Sequence, residues 1–194
     1  GSLPSITWAD GSELKIENSL QTGLNQSFWN VRVTGGTASS VTYNDNTSRT
    51  MTVRNNFLLE SGTFYLKNGG STGGTHVLRV AGNYYQTGGS FSWNNNNTDN
   101  TSVLKLELEK DLIIDGGTWG GYISATDCNS AVYFLGTGEQ TYKTILEHGA
   151  GGEARNRFVY KTSGGPTGLN EVYNGSIKQY TIACTCVSVP AGYS

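Results

Sequence analysis

Residues 82–93 read GNYYQTGGSFSW: two adjacent tyrosines, a glycine pair, then Phe91 and Trp93 in alternation. The same layout occurs upstream in RNNFLLESGTFYL (54–66) and downstream in EKDLIIDGGTWGG (109–121). Phe57 to Tyr84, Gly62 to Gly89 and Phe64 to Phe91 are each separated by 27 residues. Tyr84 to Leu112, Gly89 to Gly117 and Phe91 to Trp119 are each separated by 28. Self-similarity at a fixed period of this size marks a solenoid or a propeller.

Within each copy the apolar period is two. Met51 and Val53, Phe57 and Leu59, and Phe64 and Leu66 alternate with polar residues. Leu78 and Val80, Phe91 and Trp93, then Leu104, Leu106 and Leu108 repeat the pattern. Short alternating runs broken by Gly and Asn predict strands joined by tight turns. LKLELEKDLII (104–114) has helical propensity, but its alternation and its phase with the other copies predict strands. A propeller blade needs about 40 residues or more, so a shorter unit predicts one coil of a parallel β-helix, taken as right-handed. Stacked coils bury their inward residues in a continuous column. Gly88 and Gly89 then form a corner, Tyr84 and Phe91 point inward on either side of it, and Tyr85 points out.

The chain of 194 residues is expected to form a single all-β domain. Gly1 and Ser2 read as a cloning remnant, residues 3–148 as coils, and residues 149–194 as a loop-rich C-terminal cap over the open end of the solenoid. Within the coils, 3–50 are divergent, 51–121 regular, and 131–148 one more turn. SVTYN (40–44) and IKQYTIACTCVSVP (177–190) supply further strands. Charged residues are only 14% and the formal net charge is −2, with no basic stripe, which argues against a nucleic-acid partner. No run of 18 apolar residues occurs, which argues against a membrane-spanning helix. Cys128, Cys184 and Cys186 match neither a zinc nor a redox spacing. They read as buried thiols, with a bridge from Cys128 to one of the other two as the alternative.

Catalytic patterns are sparse. G-x-S-x-G occurs once, as GGSTG (69–73), with no helix pattern after it to form a nucleophile elbow. H-E-x-x-H does not occur, and His76 and His148 have no catalytic Ser or Cys pattern around them. Glu107 and Glu109 share a strand face about 7 Å apart by strand rise, within the roughly 5–10 Å separation a glycosidase pair needs. Beside Lys105 and Lys110 they read instead as solvated acids. NNNNTDN (94–100) reads as a plain turn, with a calcium loop as the alternative; no calcium motif supports it, and no cofactor is expected.

HVLRVAGNYYQTGGSF (76–91), VYFLGTGEQTY (132–142) and SFWNVRVTGG (27–36) resemble the solenoid segments of secreted Bacteroidetes proteins, over about residues 14–146. In size and style the chain is similar to the β-helical xylan-binding modules of gut Bacteroidetes. That resemblance implies secretion to the exterior or the cell surface, no catalysis by this chain, and a covalently linked catalytic domain. Sugar rings stack their C–H faces on rigid aromatic side chains. The candidates are therefore the aromatics that alternation or a glycine step leaves outward: Trp119 and Tyr122 around Gly120-Gly121, then Tyr85, Trp29 and Tyr65. The row Leu58, Tyr85, Ile113 runs across coils about 4.8 Å apart. The functional expectation is a carbohydrate-binding module for a plant cell-wall polysaccharide, with xylan first. A structural or adhesive stalk is the alternative, and a polysaccharide lyase or hydrolase the second.

Overall fold

In the computed structural model the described residues are 2–39, 47–69, 73–95, 101–120 and 130–144, together with two later strands, 158–160 and 168–173. They contain strands and no helix. In chain order the strands are β1 Glu13–Ile16, β2 Ser27–Phe28, β3 Asn30–Ser39, β4 Arg49–Val53, β5 Phe57–Lys67, β6 Thr75–Val80, β7 Tyr84–Gln86 and β8 Ser90–Asn94. There follow β9 Val103–Leu108, β10 Leu112–Ile114, β11 Thr118–Gly120, β12 Ala131–Phe134, β13 Glu139–Thr144, β14 Phe158–Tyr160 and β15 Gly168–Tyr173.

Each strand pairs in parallel with its counterpart one coil away, which makes the chain a β-solenoid. One face runs β2-β4-β6-β9-β12-β14. A second runs β1-β3-β5-β7-β10-β13-β15, and a third branches from β5 through β8 to β11. The long strand β5 turns the corner between these last two faces: its first half pairs with β7 and its second half with β8. The register reproduces the repeat read from the sequence, with Phe57 opposite Tyr84, Tyr84 opposite Leu112, Phe64 opposite Phe91, and Phe91 opposite Trp119.

The inward side chains stack into columns. Phe57 and Tyr84 lie 5.0 Å apart at 18°. Phe91 lies 4.2 Å from Trp119 at 22°, and Trp93 meets Phe91 edge-on at 5.3 Å. Opposite them, Val53, Val80, Leu108 and Phe134 fill the interior from the first face, all fully buried. The corner between the second and third faces is a column of glycines, Gly62, Gly89 and Gly117, with φ of 77°, 64° and 80°. These left-handed angles favour glycine. The coils also approach closely there: a Cβ on Gly117 would lie 2.2 Å from the carbonyl oxygen of Gly89.

Both sheets continue past residue 148, where the sequence predicts the coils to end. β14 pairs with β12 and β15 with β13. The step from Leu112 to Tyr142 is 30 residues rather than 27 or 28, so the repeat slips out of phase there and the later strands are hard to read. The strands expected at 40–44 and 177–190, and the three cysteines, lie outside the described residues.

Candidate functional site

Alternation that drives Phe57, Tyr84 and Leu112 inward sets Leu58, Tyr85 and Ile113 outward in one register row. The row continues to Arg32 and Lys15 on one side and to Lys143 on the other. Its apolar centre is thus three coils wide and ends in a cation on each side. The face is open to water: the side chains of Arg32 and Lys143 each keep 39% of their exposure.

Tyr85 is half-buried, and its hydroxyl accepts a hydrogen bond from Asn83 Nδ2 at 2.8 Å. Two residues along a strand span about 6.6 Å, close to the reach of a tyrosine side chain. To meet the residue two positions back, the ring must lie along the strand rather than stand up from it. Between Leu58 and Ile113 it keeps part of its surface open to solvent. The hydroxyl hydrogen has no acceptor among the described residues and is available to an incoming oxygen.

A ladder of side chains holds Asn83 in place. Asn30 Oδ1 accepts from the backbone N–H of Asn56, Asn56 Oδ1 from that of Asn83, Asn83 Oδ1 from that of Asp111, and Asp111 Oδ1 from that of Thr141. The distances are 3.1, 2.9, 3.1 and 2.8 Å. Each rung satisfies a backbone donor of the next coil, a group that is costly to bury unpaired. The ladder runs beside the outward row and fixes its floor.

On the other side of the row lies a line of carboxylates. Glu60 takes Arg32 in a two-point grip, Nη2 to Oε1 at 2.8 Å and Nε to Oε2 at 3.0 Å. Asp115 holds Lys143 at 2.6 Å, and Glu17 holds Lys15 at 2.5 Å. The hydrogen bonds that Arg32 donates to Glu60, then the Glu60 charge, raise the Arg32 guanidinium above its ordinary value. The Lys15 hydrogen bond, then its charge, lower the Glu17 carboxyl.

The other candidates do not join this row. Trp119 was expected beside a bare glycine step with its face reachable. It is instead 4% exposed, stacked on Phe91 and edge-on to Trp93 and Tyr84. Alternation wins over the neighbouring glycines: Thr118 and Gly120 take the outward positions and Trp119 completes the Phe64–Phe91 column. Trp29 is half-buried between β2 and β3, and the Arg54 guanidinium covers one ring face at 5.3 Å. Arg54 is in turn held by Asp10 at 2.5 Å and by the Trp8 carbonyl. Trp29 therefore offers at most one face, at the corner that leads into the Tyr85 face and two coils from Tyr85. Tyr65 is half-buried on the third face, opposite Ser39 and Ser92. Its small neighbours leave the ring accessible, but the glycine corner separates it from Tyr85. Tyr122 lies outside the described residues.

Glu107 is gripped by Arg79, Nε to Oε2 at 2.7 Å, while Glu109 is exposed. The first of the two candidate acids is therefore committed to an ion pair. His76 is fully buried, its Nε2 3.2 Å from the Gly73 carbonyl oxygen; His148 lies outside the described residues. Among the described residues no three His, Cys, Asp or Glu side chains gather where they could hold a metal ion. Residues 96–100 of the asparagine run lie outside that set.

Several residues escape the sequence reading. Lys67 should face outward by alternation, yet it is 1% exposed, with Nζ donating to Ser102 Oγ at 2.5 Å. Gln86 and Gln140 sit inward and donate to the carbonyl oxygens of Thr118 and Lys110 at 2.8 and 2.5 Å, tying one coil corner to the next. A polar residue in an inward phase was the available signal. No helix among the described residues is long and apolar enough to cross a membrane. In comparisons with known proteins, no family model, no curated protein and no solved structure matches this chain.

Proposed function

We propose that this chain is a non-catalytic carbohydrate-binding module for a plant cell-wall polysaccharide, with xylan the first candidate. The observation that carries the reading is Tyr85. Its ring lies along the strand between Leu58 and Ile113, on an open face with hydrogen-bonding groups on both sides. A pyranose ring has an apolar face and a rim of hydroxyls, which asks for a flat aromatic surface bordered by donors and acceptors. The sheet beneath is rigid, so little order has to be gained on binding. A β-linked chain lying across the strands advances by on the order of one coil spacing, about 4.8 Å, per sugar. It would meet Leu58, Tyr85 and Ile113 in succession. Tyr65, between Ser39 and Ser92, offers a separate contact on the next face. The choice of xylan, the secreted location and the attached catalytic domain rest on the resemblance of the coil segments.

Calorimetry with xylan and xylooligosaccharides tests the reading. A stacking aromatic contributes about 1–2 kcal/mol, so Tyr85→Ala should weaken binding roughly tenfold or more. If the wild-type chain binds no polysaccharide, the module reading fails and the stalk takes its place. If it binds and Tyr85→Ala matches wild type, the face is misassigned.

A further inference from the structure

We propose that the Tyr85 face selects uncharged linear glycan, and that Glu60 and Asp115 enforce this choice. The inference rests on the carbohydrate-binding reading. It comes from where the charges of the face are spent. All three cations of the outward row are held by carboxylates from the next row: Lys15 by Glu17, Arg32 by Glu60, Lys143 by Asp115. On the ladder side Glu13 and Asp111 add negative charge, and Glu13 also acts on Arg32. The apolar centre is thus bordered by neutralised pairs with acid in excess.

Among the described residues, a uronate-bearing or sulfated chain finds no open cation in this row. To reach Arg32 it must displace the two-point Glu60 grip, and to reach Lys143 it must displace Asp115. A neutral glycan needs neither exchange. Its hydroxyls can donate to the carboxylate oxygens in charge-assisted bonds and accept from the Tyr85 hydroxyl. Four strand steps of about 4.8 Å set the Arg32 and Lys143 pairs about 19 Å apart. The carboxylates thus stand at both ends of the segment that Leu58, Tyr85 and Ile113 would carry.

The test uses two polymers with one backbone, arabinoxylan with neutral branches and glucuronoxylan with carboxylated ones, titrated calorimetrically at low ionic strength. Wild type should favour arabinoxylan. The double variant Glu60→Gln/Asp115→Asn frees both cations and should shift the affinity ratio toward glucuronoxylan by about three- to fivefold per cation. High salt, with a Debye length of about 3 Å at 1 M, should erase the shift. Arg32→Gln/Lys143→Gln, which leaves the carboxylates unmatched, should move the ratio the other way, and far-ultraviolet circular dichroism checks that each variant is folded. A wild-type preference for glucuronoxylan, or a ratio unmoved in both folded variants, overturns the selectivity while leaving carbohydrate binding standing. Failure of wild type to bind either polymer removes the carbohydrate reading and this inference with it.

Discussion

Gly117→Ala separates the two reasons for a glycine at the coil corner. Gly117 and Gly11 have nearly the same backbone angle, φ of 80° and 83°. At Gly11 an added Cβ meets nothing within 4 Å, whereas at Gly117 it lies 2.2 Å from Gly89 O and 2.5 Å from Gly88 O. A left-handed non-glycine residue costs about 1–2 kcal/mol, and both substitutions incur that. Only Gly117→Ala must also push two coils apart. A carbon needs about 3.3 Å or more from an oxygen, so the corner opens by roughly 1 Å. The hydrogen bond from the Thr118 N–H to Gly89 O at 2.8 Å lies in the way and stretches with it. Disturbing that backbone bond adds about 0.5–1.5 kcal/mol, for a total of about 1.5–3.5 against about 1–2 at Gly11. With about 2–4 °C lost per kcal/mol in a chain of this size, Gly117→Ala should melt roughly 3–14 °C below wild type and Gly11→Ala roughly 2–8 °C. Gly138→Ala, with ordinary φ and open space, should match or exceed wild type. Thermal melts followed by circular dichroism at 218 nm (about the usual strand minimum) read all three. Equal losses at Gly11 and Gly117 would refute the interlocked corner.

Trp119→Ala should cost about 3–5 kcal/mol in denaturant unfolding, as a buried aromatic does, with glycan affinity in the folded protein unlike that of Tyr85→Ala. Burial pushes the Tyr84 phenol well above its ordinary value, so the folded state holds that proton after the unfolded chain has lost it. The associated stability is complete below about pH 10 and is lost as pH rises above it; Tyr84→Phe should flatten the alkaline limb of a stability–pH curve. Asn83→Ala removes the acceptor for the Asp111 N–H and the donor to the Tyr85 hydroxyl. It should cost about 1–3 kcal/mol of stability, measured by denaturant unfolding, and should also weaken glycan binding in calorimetry.

The interior was legible because two simple periods agree. Alternation says which side chains turn inward, and the coil repeat says which ones stack. Phe57 over Tyr84 and Phe91 over Trp119 follow from those two periods together. Trp119 shows what happens when a third cue is set against them. The glycines after it suggested a bare, reachable ring, but glycine describes the backbone at its own position and not the direction of its neighbour. Where the spacing slipped to 30 residues after Leu112, the stacking rule lost its phase and β14 and β15 went unread.

The outward face was legible in position but not in chemistry. The row Leu58, Tyr85, Ile113 follows from the same two periods as the core. The grip of Glu60 on Arg32 does not, because the partners are 28 residues apart in sequence and two residues out of register. That pairing is diagonal, and it depends on side-chain reach rather than on phase. The attitude of the Tyr85 ring is set in the same way, by Asn83 two residues back and, through Asn83, by the ladder beneath. A solenoid copies backbone positions faithfully from coil to coil, whereas what each position binds is settled by side chains that need not repeat. The ring of Tyr85 is therefore prepared by the fold and made specific by residues outside its own column. If so, recognition should respond to changes at Asn83, Glu60 and Asp115 while the stacked interior stays intact.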